Sequence, residues 1–398
     1  MKKRILYIEG NTDGTVGGSY YLLFDLVSRL DREKFEPIVG FHRDNFLIER
    51  FRALGVETIV FSNPVPWVPK GFLFRTVLAP LKKLVNLYRG FFVPAREYAR
   101  FLRDRKIDLI NLNNSITRNH AWMLAARRTG TRCMTHEMGI RLHFSKMARF
   151  FGKRLEKIVC LSHAIHDNMK RLGVDYPNTV VIHCGIDLER YHVTETPAQL
   201  RAKHHIPADS EVVGVVGNIR EWKGQVVMVR AAALLKPKFP RLRVLLVGDC
   251  GAADKPYGDM LANLCRELGL EDTVIFTGFQ KNAIDYMGLM DVVAHTSVHP
   301  EPFGIVTLEA MSLSKPLVST THGGPAEVVV NGQTGLLVEA GKPELLAAAI
   351  ASLLEDQSRA TEFGRKGFER LNQHFGIRKN IDATMAVYRS VLGLSEAA

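Results

Sequence analysis

The sequence predicts an α/β protein built from two doubly wound domains. Runs of β-branched and apolar residues alternate with helical stretches in two successive series along the 398 residues. Val212–Val216 and Val244–Val247 are almost wholly apolar, which is typical of strands buried on both faces of a parallel sheet. Strands that alternate with helices of ten or more residues indicate βαβ units. The chain length also suits two domains.

The two series contain thirteen predicted strands. Those of the first half are Arg4–Ile8, Glu36–Phe41, Val56–Phe61, Ile107–Leu112, Cys133–Thr135, Lys157–Cys160 and Val180–Ile182. Those of the second half are Val212–Val216, Leu242–Val247, Val274–Thr277, Val292–His295, Pro316–Ser319 and Gly335–Val338. The polar stretch Asp187–Pro197 is the predicted linker, so the domains are expected at 1–190 and 191–375. A final helix in 376–398 is expected to pack back on the first domain.

Composition excludes several classes of protein. Hydrophobic residues make up 46% and charged residues 24%, as in ordinary globular proteins. No apolar run reaches the roughly 18 residues of a membrane-spanning helix, and the apolar run after the basic start is too short for a secretion signal. The five cysteines are odd in number and form no CxxC pair, which predicts reduced thiols in a cytoplasmic protein without a zinc site.

The positive charge is concentrated in the first half. Residues 1–190 carry a net charge of +14, whereas 191–375 carry −3. From Pro80 onward, helical spacing places Leu81, Leu84, Val85, Tyr88 and Phe92 on one face, with lysines and arginine off it. The segment 72–106 therefore predicts contact with an anionic membrane surface. The alternative is a helix that packs this face on its own domain. Motifs of nucleic-acid binding are absent from the sequence.

Because parallel sheets bind ligands at the carboxyl ends of their strands, the loops that follow the strands are the candidate sites. The first strand precedes a glycine-rich loop that ends with Gly17 and Gly18, where backbone N–H groups could approach an anion. A strand-to-helix turn holds Arg220 and Lys223, and an ammonium group there could reach a phosphate. His136 follows another strand, but a single histidine is more often a core residue.

The segment His299–Met311 carries the strongest pattern. Phe303, Gly304 and Ile305 would lie at the start of a helix, where free N–H groups favour an anion. Glu301 precedes this helix and Glu309 lies about two turns in, so the two carboxylates would be roughly 12 Å apart along the axis. They could accept hydrogen bonds from the hydroxyls of one nucleotide sugar.

These motifs together resemble the signature of retaining glycosyltransferases of family 4 with the GT-B fold. The resemblance rests on Glu301–Glu309 within E-P-F-G-x-x-x-x-E-A-M, the Gly17-Gly18 loop, the V-G-x(5)-K-G turn ending at Gly224, Val181–Asp187, Leu246–Asp249 and the G-G-P-A-E segment ending at Glu327. It implies two facing Rossmann-like domains with a cleft between them. The first domain would be the acceptor side, and the second would bind the nucleotide sugar.

The resemblance implies a role for each matching residue. Lys223 would bind the donor diphosphate, and the backbone of Phe303, Gly304 and Ile305 would meet the distal phosphate and sugar. Glu301 would hold sugar hydroxyls and Glu309 the ribose, while His136 would lie near the transferred sugar. Gly17 and Gly18 would approach donor or acceptor. Asn218 stands where many relatives have arginine, and Arg220 is the candidate replacement.

The expected reaction is retaining transfer of a sugar from a nucleoside diphosphate sugar to an acceptor hydroxyl. Neither a metal nor a further cofactor is expected, because no D-x-D element occupies a suitable position. The expected acceptor is lipid-linked or a cell-surface glycan precursor, and the basic half suits a lipid-linked or anionic acceptor at the inner face of the membrane. An epimerase or sugar phosphorylase of the same fold, a non-catalytic sugar-nucleotide-binding protein and a nucleic-acid binder are the alternatives.

Overall fold

The computed structural model describes residues 2–11, 18–62 and 79–394 and divides into two compact units. The first comprises Met1–Ile182 with Asn380–Ala398, and the second His183–Lys379. Each unit holds one parallel sheet with helices, so the predicted pair of Rossmann-like domains is confirmed. No helix within the described ranges combines the length and apolar character needed to cross a bilayer.

The first unit contains a seven-stranded sheet in the order β3-β2-β1-β4-β5-β6-β7. Its strands are β1 Lys3–Glu9, β2 Phe35–Phe41, β3 Glu57–Val60, β4 Leu109–Asn113, β5 Arg132–Glu137, β6 Lys157–Cys160 and β7 Thr179–Val181. Its helices are α1 Gly18–Ser28, α2 Leu47–Ala53, α3 Ala79–Leu87, α4 Val93–Asp104, α5 His120–Thr129, α6 Lys146–Gly152 and α7 His163–Arg171, and a π-helical turn, Tyr88–Phe92, joins α3 to α4.

The second unit contains a six-stranded sheet in the order β10-β9-β8-β11-β12-β13. Its strands are β8 Val212–Val216, β9 Arg243–Val247, β10 Val274–Gly278, β11 Val292–Ala294, β12 Leu317–Thr320 and β13 Leu336–Val338. Its helices are α8 Pro197–Lys203, α9 Gln225–Leu235, α10 Lys255–Glu267, α11 Ala283–Leu289, α12 Ile305–Ser312, α13 Pro325–Val328, α14 Pro343–Glu355 and α15 Gln357–Arg370. Shorter helical turns are Leu188–Arg190, Glu221–Lys223, Ala252–Asp254 and Leu371–Phe375.

All thirteen predicted strands are present, and their ends differ by a few residues. The largest differences are two residues, at the end of β5, which reaches Glu137 and not Thr135, and at the start of β4, which begins at Leu109 and not at Ile107. Lys106 adopts a positive φ of 50°, and the Ile107 amide bonds back to the Leu102 carbonyl at 3.0 Å. Both features terminate α4, so Ile107 belongs to the turn although its side chain is apolar enough for a strand.

The units divide before the predicted linker, because residues just after Ile182 pair with the end of the second unit. The Ile186 amide donates to the Phe375 carbonyl at 2.9 Å, and the Ile377 amide donates to the Ile186 carbonyl at 3.0 Å. A Cβ on Gly185 would lie 2.8 Å from the Gly376 carbonyl oxygen. The backbones therefore cross closely here, and the polar composition of Asp187–Pro197 gives no sign of this.

The terminal helix α16, Ile377–Leu392, brings a buried tyrosine to the first sheet. The Tyr388 hydroxyl accepts a hydrogen bond from the Asn111 side-chain amide at 3.0 Å. Its ring meets Tyr7 and Phe35 edge-on, with centroid distances of 6.3 and 6.1 Å. Such aromatic contacts between buried rings stabilise the folded state by about 0.5–1.5 kcal/mol each beyond the burial of their surface.

Candidate active site

The turn that follows β8 fixes Lys223 against the loop that follows β11. Lys223 ends a short 3-10 turn and Gly224 adopts a φ of +69° before α9 begins. The Thr296 hydroxyl donates to the Lys223 carbonyl at 2.9 Å. A Cβ on Gly224 would lie 2.1 Å from the Thr296 carbonyl oxygen. Glycine is therefore required both for the backbone conformation and for the close approach of the two loops.

Gly224→Ala is expected to destabilise the second unit by about 2–5 kcal/mol, because it adds left-handed strain and a backbone clash. Gly341→Ala is the matched control. Gly341 has a φ of +73° but open space at its Cβ position. The free energy of unfolding of Gly341→Ala should therefore fall by only about 1–2 kcal/mol. Urea unfolding of the two variants measures the difference. Equal stability losses would show that the Thr296 contact is unimportant.

Lys223 and Glu301 form a close ion pair at this turn. The Lys223 ammonium nitrogen lies 2.6 Å from Oε1 of Glu301, and their side chains are only 17% and 12% exposed. The second carboxylate oxygen of Glu301 lies 2.6 Å from Nε2 of His295 and accepts from the Ser297 hydroxyl at 3.0 Å. A carboxylate, an ammonium group and an imidazole are thus assembled at the carboxyl end of β11.

These neighbours keep Glu301 ionised. Burial by itself would raise the pKa of Glu301, but the hydrogen bond and charge of His295 and the charge of Lys223 hold that pKa at about 2. His295 is itself buried, and its Nδ1 lies 3.2 Å from the Ser319 hydroxyl on β12. The second oxygen of Glu301 is therefore fixed from the protein side, whereas Oε1 faces Lys223.

His295 and Ser297 are not among the site residues predicted from the sequence. The available signal was position, since His295 was the last residue of a predicted strand and strand ends form the binding edge of a parallel sheet. His136 is a candidate residue on the same ground. The pairing of His295 with Glu301 could not be read from spacing, because the residues between them form an irregular loop.

The glycine that precedes α12, Gly304, is packed tightly against a second glycine turn. Gly304 has a φ of +77°, and a Cβ there would lie 2.4 Å from the Pro325 ring. The Gly324 amide donates to the Glu301 carbonyl at 2.8 Å. The start of the helix is consequently held beside Glu301. As the first residue of α12, Ile305 has no carbonyl four residues earlier in the helix to accept its N–H, so this amide can face an anion.

The side chain of Phe303 packs in the interior of the second unit. It is buried, and its ring centroid lies 5.9 Å from that of His183 and 6.1 Å from that of Phe375. The predicted role of Phe303 concerns its backbone, and these contacts fix that backbone at the start of α12.

Glu309 lies on the second turn of α12 and is half-buried. Its low-dielectric surroundings raise its pKa to about 7, and a hydrogen bond from Tyr191 and the charge of Lys223 oppose the rise. Glu309 therefore lies within reach of the electric field of the ammonium group that pairs with Glu301. The structure brings Lys223, Glu301, Gly304 and Glu309 to one region of the second unit.

Arg220 lies outside this cluster of contacts. Its side chain is 47% exposed, and its Nε lies 3.3 Å from the Asp254 carboxylate, in the loop after β9. Its carbonyl accepts a hydrogen bond from the Lys223 amide at 2.9 Å, so its backbone shapes the turn. A contact of the Arg220 guanidinium with the donor remains a prediction, as does its replacement of an arginine at Asn218.

In the first unit, His136 is the fifth residue of β5 and is buried. Burial lowers the pKa of His136 to about 4, so its imidazole is neutral at pH 7. Its Nε2 has no hydrogen-bond partner within the described part of the chain. Gly18 is the first residue of α1 and is exposed, with open space at its Cβ position. Gly17 lies outside the described residues.

Glu9, a buried carboxyl at the end of β1, is not among the site residues predicted from the sequence. The Asn113 amide donates to one carboxylate oxygen at 2.5 Å, and the Asn11 amide and the Ser19 hydroxyl lie 3.3 and 3.4 Å from the other. Burial raises the pKa of Glu9 to about 7 despite these hydrogen bonds. Glu9 thus connects the ends of β1 and β4 with the start of α1.

Glu9→Gln is expected to stabilise the protein above pH 7. In the unfolded chain the pKa of Glu9 returns to about 4.5, so stability falls as pH rises from 4.5 to 7. At pH 8.5 the variant should have a free energy of unfolding about 1–3 kcal/mol higher than the wild type, which raises the melting temperature by several degrees. At pH 5 the effect should be small. Glu33→Gln, at an exposed position of the same unit, is the control. A pH-independent effect of Glu9→Gln would contradict the assignment.

Two family models match the chain in the order of its two units. The model for glycosyl transferases group 1 matches residues 198–370, and the model for Glycosyltransferase Family 4 matches residues 46–190. The chain belongs to the group 1, or family 4, glycosyltransferases. The first match contains Lys223, Glu301, Gly304 and Glu309, and the second contains His136.

Relatives of this glycosyltransferase chain include proteins named for distinct sugar transfers. It is 37% identical over 231 residues to the D-inositol 3-phosphate glycosyltransferase of Kineococcus radiotolerans, a match that covers 54% of the chain and 53% of the relative. It is 31% identical over 221 residues to the lipopolysaccharide core biosynthesis mannosyltransferase LpcC of Rhizobium leguminosarum, with 55% and 62% covered. The matches thus span about half, or somewhat more, of these relatives' lengths.

A solved structure is similar along almost the whole chain. The Anabaena protein HepE in complex with UDP is 26% identical, with a TM-score of 0.81, and the match covers 98% of this chain and 100% of HepE. HepE has also been solved with UDP-glucose, where the TM-score is 0.77. The similarity confirms the GT-B type of fold for the two Rossmann-like units.

Proposed function

We propose that this chain is a retaining glycosyltransferase that moves a sugar from a nucleoside diphosphate sugar to an acceptor hydroxyl. The observation that carries the proposal is the Lys223–Glu301 pair beside the start of α12. It supplies a positive charge and helix amides for a diphosphate, and a carboxylate for sugar hydroxyls. The UDP and UDP-glucose complexes of HepE support a nucleotide-sugar donor.

Donor binding would rearrange the ion pair. His295 and Ser297 hold one oxygen of Glu301, so the other can accept hydroxyl protons of the sugar once Lys223 turns to the diphosphate. The pKa of about 2 keeps Glu301 an acceptor throughout the physiological pH range. Glu309 would accept hydrogen bonds from the ribose.

The chemical step would be driven by stabilisation of the leaving diphosphate. As the bond to the sugar breaks, negative charge grows on the phosphate, and Lys223 with the α12 amides would stabilise it. In a front-side path this phosphate takes the acceptor proton, so no protein nucleophile is required. His136, neutral at pH 7, would be placed near the transferred sugar. We propose that the reaction needs no metal, and unchanged turnover in EDTA is the expected result.

We further propose a lipid-linked acceptor and peripheral association with the inner face of the membrane. The described part of the 72–106 segment supports this, because Leu84 and Tyr88 are 64% and 60% exposed. Residues 72–78 lie outside the described residues. A relative named for lipopolysaccharide core biosynthesis is consistent with such an acceptor.

A thermal-shift panel of UDP, GDP, ADP and CMP sugars tests the donor assignment, since a bound ligand raises the melting temperature by mass action. The best donor is then incubated with membrane lipid extract, and nuclear magnetic resonance determines the anomeric configuration of the product. Transfer with retention is expected. Interconversion of the sugar without an acceptor would indicate an epimerase, release of a sugar phosphate a phosphorylase, and binding without turnover a non-catalytic protein.

Donor affinity should depend on pH through Glu309. With its pKa near 7, this carboxyl is protonated below pH 7 and charged above it. A charged acceptor gains about 1 kcal/mol more per hydrogen bond than a neutral one, so the donor Kd should rise about fivefold from pH 8 to pH 5.5. Glu309→Gln should flatten this profile. Calorimetry at several pH values measures it, and an unaltered pH profile in the variant would exclude Glu309 as its source.

A further inference from the structure

The helix α3 and the turn Tyr88–Phe92 expose an unusual amount of apolar surface. Leu81, Leu84 and Leu87 are 47%, 64% and 43% exposed, and Tyr88 and Phe92 are exposed as well. No described residue of α3 or of this turn is buried. The described part of the first unit therefore leaves this face uncovered, although helical spacing alone allowed it to pack inward. Apolar patches of this kind mark interaction sites.

An apolar pocket lies at the end of this face. It has a volume of about 560 Å³, within the range of pockets that enclose small ligands. Its walls come from the Tyr88–Phe92 turn, α5 and α6, and its lining residues are Phe91, Phe92, Leu124, Arg127, Arg128, Met147, Phe150 and Phe151. Among the described residues of the lining, the two arginines are the only ones with polar side chains. A ligand that fills it must therefore be largely hydrocarbon.

The rim of the pocket is positively charged. Arg127 and Arg128 are exposed in the last turn of α5. The guanidinium of Arg154 lies 3.8 Å from the centroid of the Phe150 ring, and that of Arg127 lies 5.6 Å from it. No carboxylate belongs to the part of the lining that the structure describes, and residues 127–157 contain nine basic and two acidic residues. An anionic group at the mouth of the pocket would therefore be favoured.

We propose that this pocket binds one hydrocarbon chain of an anionic membrane lipid, with the lipid phosphate at Arg127 and Arg128. The exposed face of α3 would lie at the headgroup boundary of the same bilayer, with Lys83 and Arg89 toward the headgroups. A second copy of this chain is a poor occupant, because an isologous contact would bring two such positive rims together. A nucleic acid would leave the leucines of α3 without apolar partners.

The inference rests on the proposed function only in taking the membrane as the place of transfer. The test therefore measures lipid binding without any nucleotide sugar. If the protein binds the lipid hydrocarbon chain but transfers no sugar, the proposed function is wrong and the lipid site is supported. A protein that glycosylates a soluble acceptor but does not bind lipid would do the opposite.

The direct experiment uses vesicles of phosphatidylglycerol that carry a photoactivatable diazirine in the middle of one acyl chain. After flotation and irradiation, mass spectrometry locates the labelled residues. We expect labelling of Phe91, Met147 and Phe150 in the pocket wall. Labels confined to the α3 face, or a protein that does not float at low salt, would overturn the proposal. Retention by RNA together with no retention by these vesicles would also overturn it.

Two variants distinguish binding of the lipid chain in the pocket from general electrostatic attraction to the vesicle. Leu124→Trp fills the pocket without a change of charge and should reduce pocket labelling at least tenfold while flotation persists. Arg127→Glu with Arg128→Glu should abolish flotation. Phe279→Glu, a 73% exposed apolar position in the second unit, and Arg230→Glu, an exposed arginine there, are the matched controls and should bind as wild type does. Circular dichroism verifies folding. Full pocket labelling in Leu124→Trp would contradict the site.

Discussion

Glu301→Gln is expected to reduce turnover by about 10²–10³-fold while the protein stays folded. The amide keeps the shape of the carboxyl but removes its negative charge, and the Lys223 ammonium nitrogen and His295 Nε2 each lie 2.6 Å from one of the carboxylate oxygens. An amide offers one acceptor oxygen where the carboxylate offers two, so the sugar hydroxyls would lose a fixed acceptor. Release of nucleoside diphosphate in the presence of acceptor measures the effect.

Glu339→Gln is the control for this substitution, because its side chain is 66% exposed and lies away from the Lys223–Glu301 contact. It should retain full turnover. Because the pKa of Glu301 is low, the pH dependence of folding stability gives a second, independent measurement. A depressed pKa stabilises the folded state above about pH 4.5, and this contribution is lost as pH falls towards 2. Wild-type turnover in Glu301→Gln would remove Glu301 from the active site.

Lys223→Met is expected to lower kcat by a similar factor of about 10²–10³ because, in the proposed reaction, the leaving diphosphate would lose the positive charge of the Lys223 ammonium group. Methionine keeps most of the apolar stem but removes the ammonium nitrogen, which lies 4.5 Å from the centroid of the Trp222 ring. The variant also leaves Glu301 without its ammonium partner, but His295 and Ser297 still hold the carboxylate. Donor affinity should therefore fall along with kcat.

The double variant Lys223→Met with Glu301→Gln distinguishes a working pair from two separate effects. Residues that act as one unit show strongly non-additive losses. We expect the double variant to lose little more than either single variant. Lys281→Met, outside the contacts described for the site, should behave as wild type. Losses that multiply would show that the ion pair does not act as a unit in catalysis.

The sequence predicts those features of the structure that depend on local residue patterns. The apolar runs predicted the strands, and the strand-loop-helix order placed Lys223, Glu301 and Gly304 at one edge of a sheet. Side-chain pairing was less accessible. His295 contacts Glu301 across an irregular loop, and Arg220 turns to Asp254, because loop geometry decides these contacts and residue spacing does not encode it.

Burial was the second property that sequence could not supply. Glu9 reads as a polar residue that ends a strand, yet the Asn113 side chain and the start of α1 enclose it. The amphipathic pattern of 80–92 allowed two placements. Only the structure shows that the described part of its apolar face is exposed beside a pocket made by α5 and α6. Such features arise from residues far apart in the chain.

The most direct test of the account is a calorimetric titration of the wild-type protein and Lys223→Met with the donor that gives the largest thermal shift. We expect a single binding site in the wild type and at least tenfold weaker binding in the variant, since the Lys223 ammonium group pairs with Glu301, the carboxylate proposed to hold the sugar. Equal affinity in the two proteins, or no binding heat with any nucleoside diphosphate sugar, would contradict it.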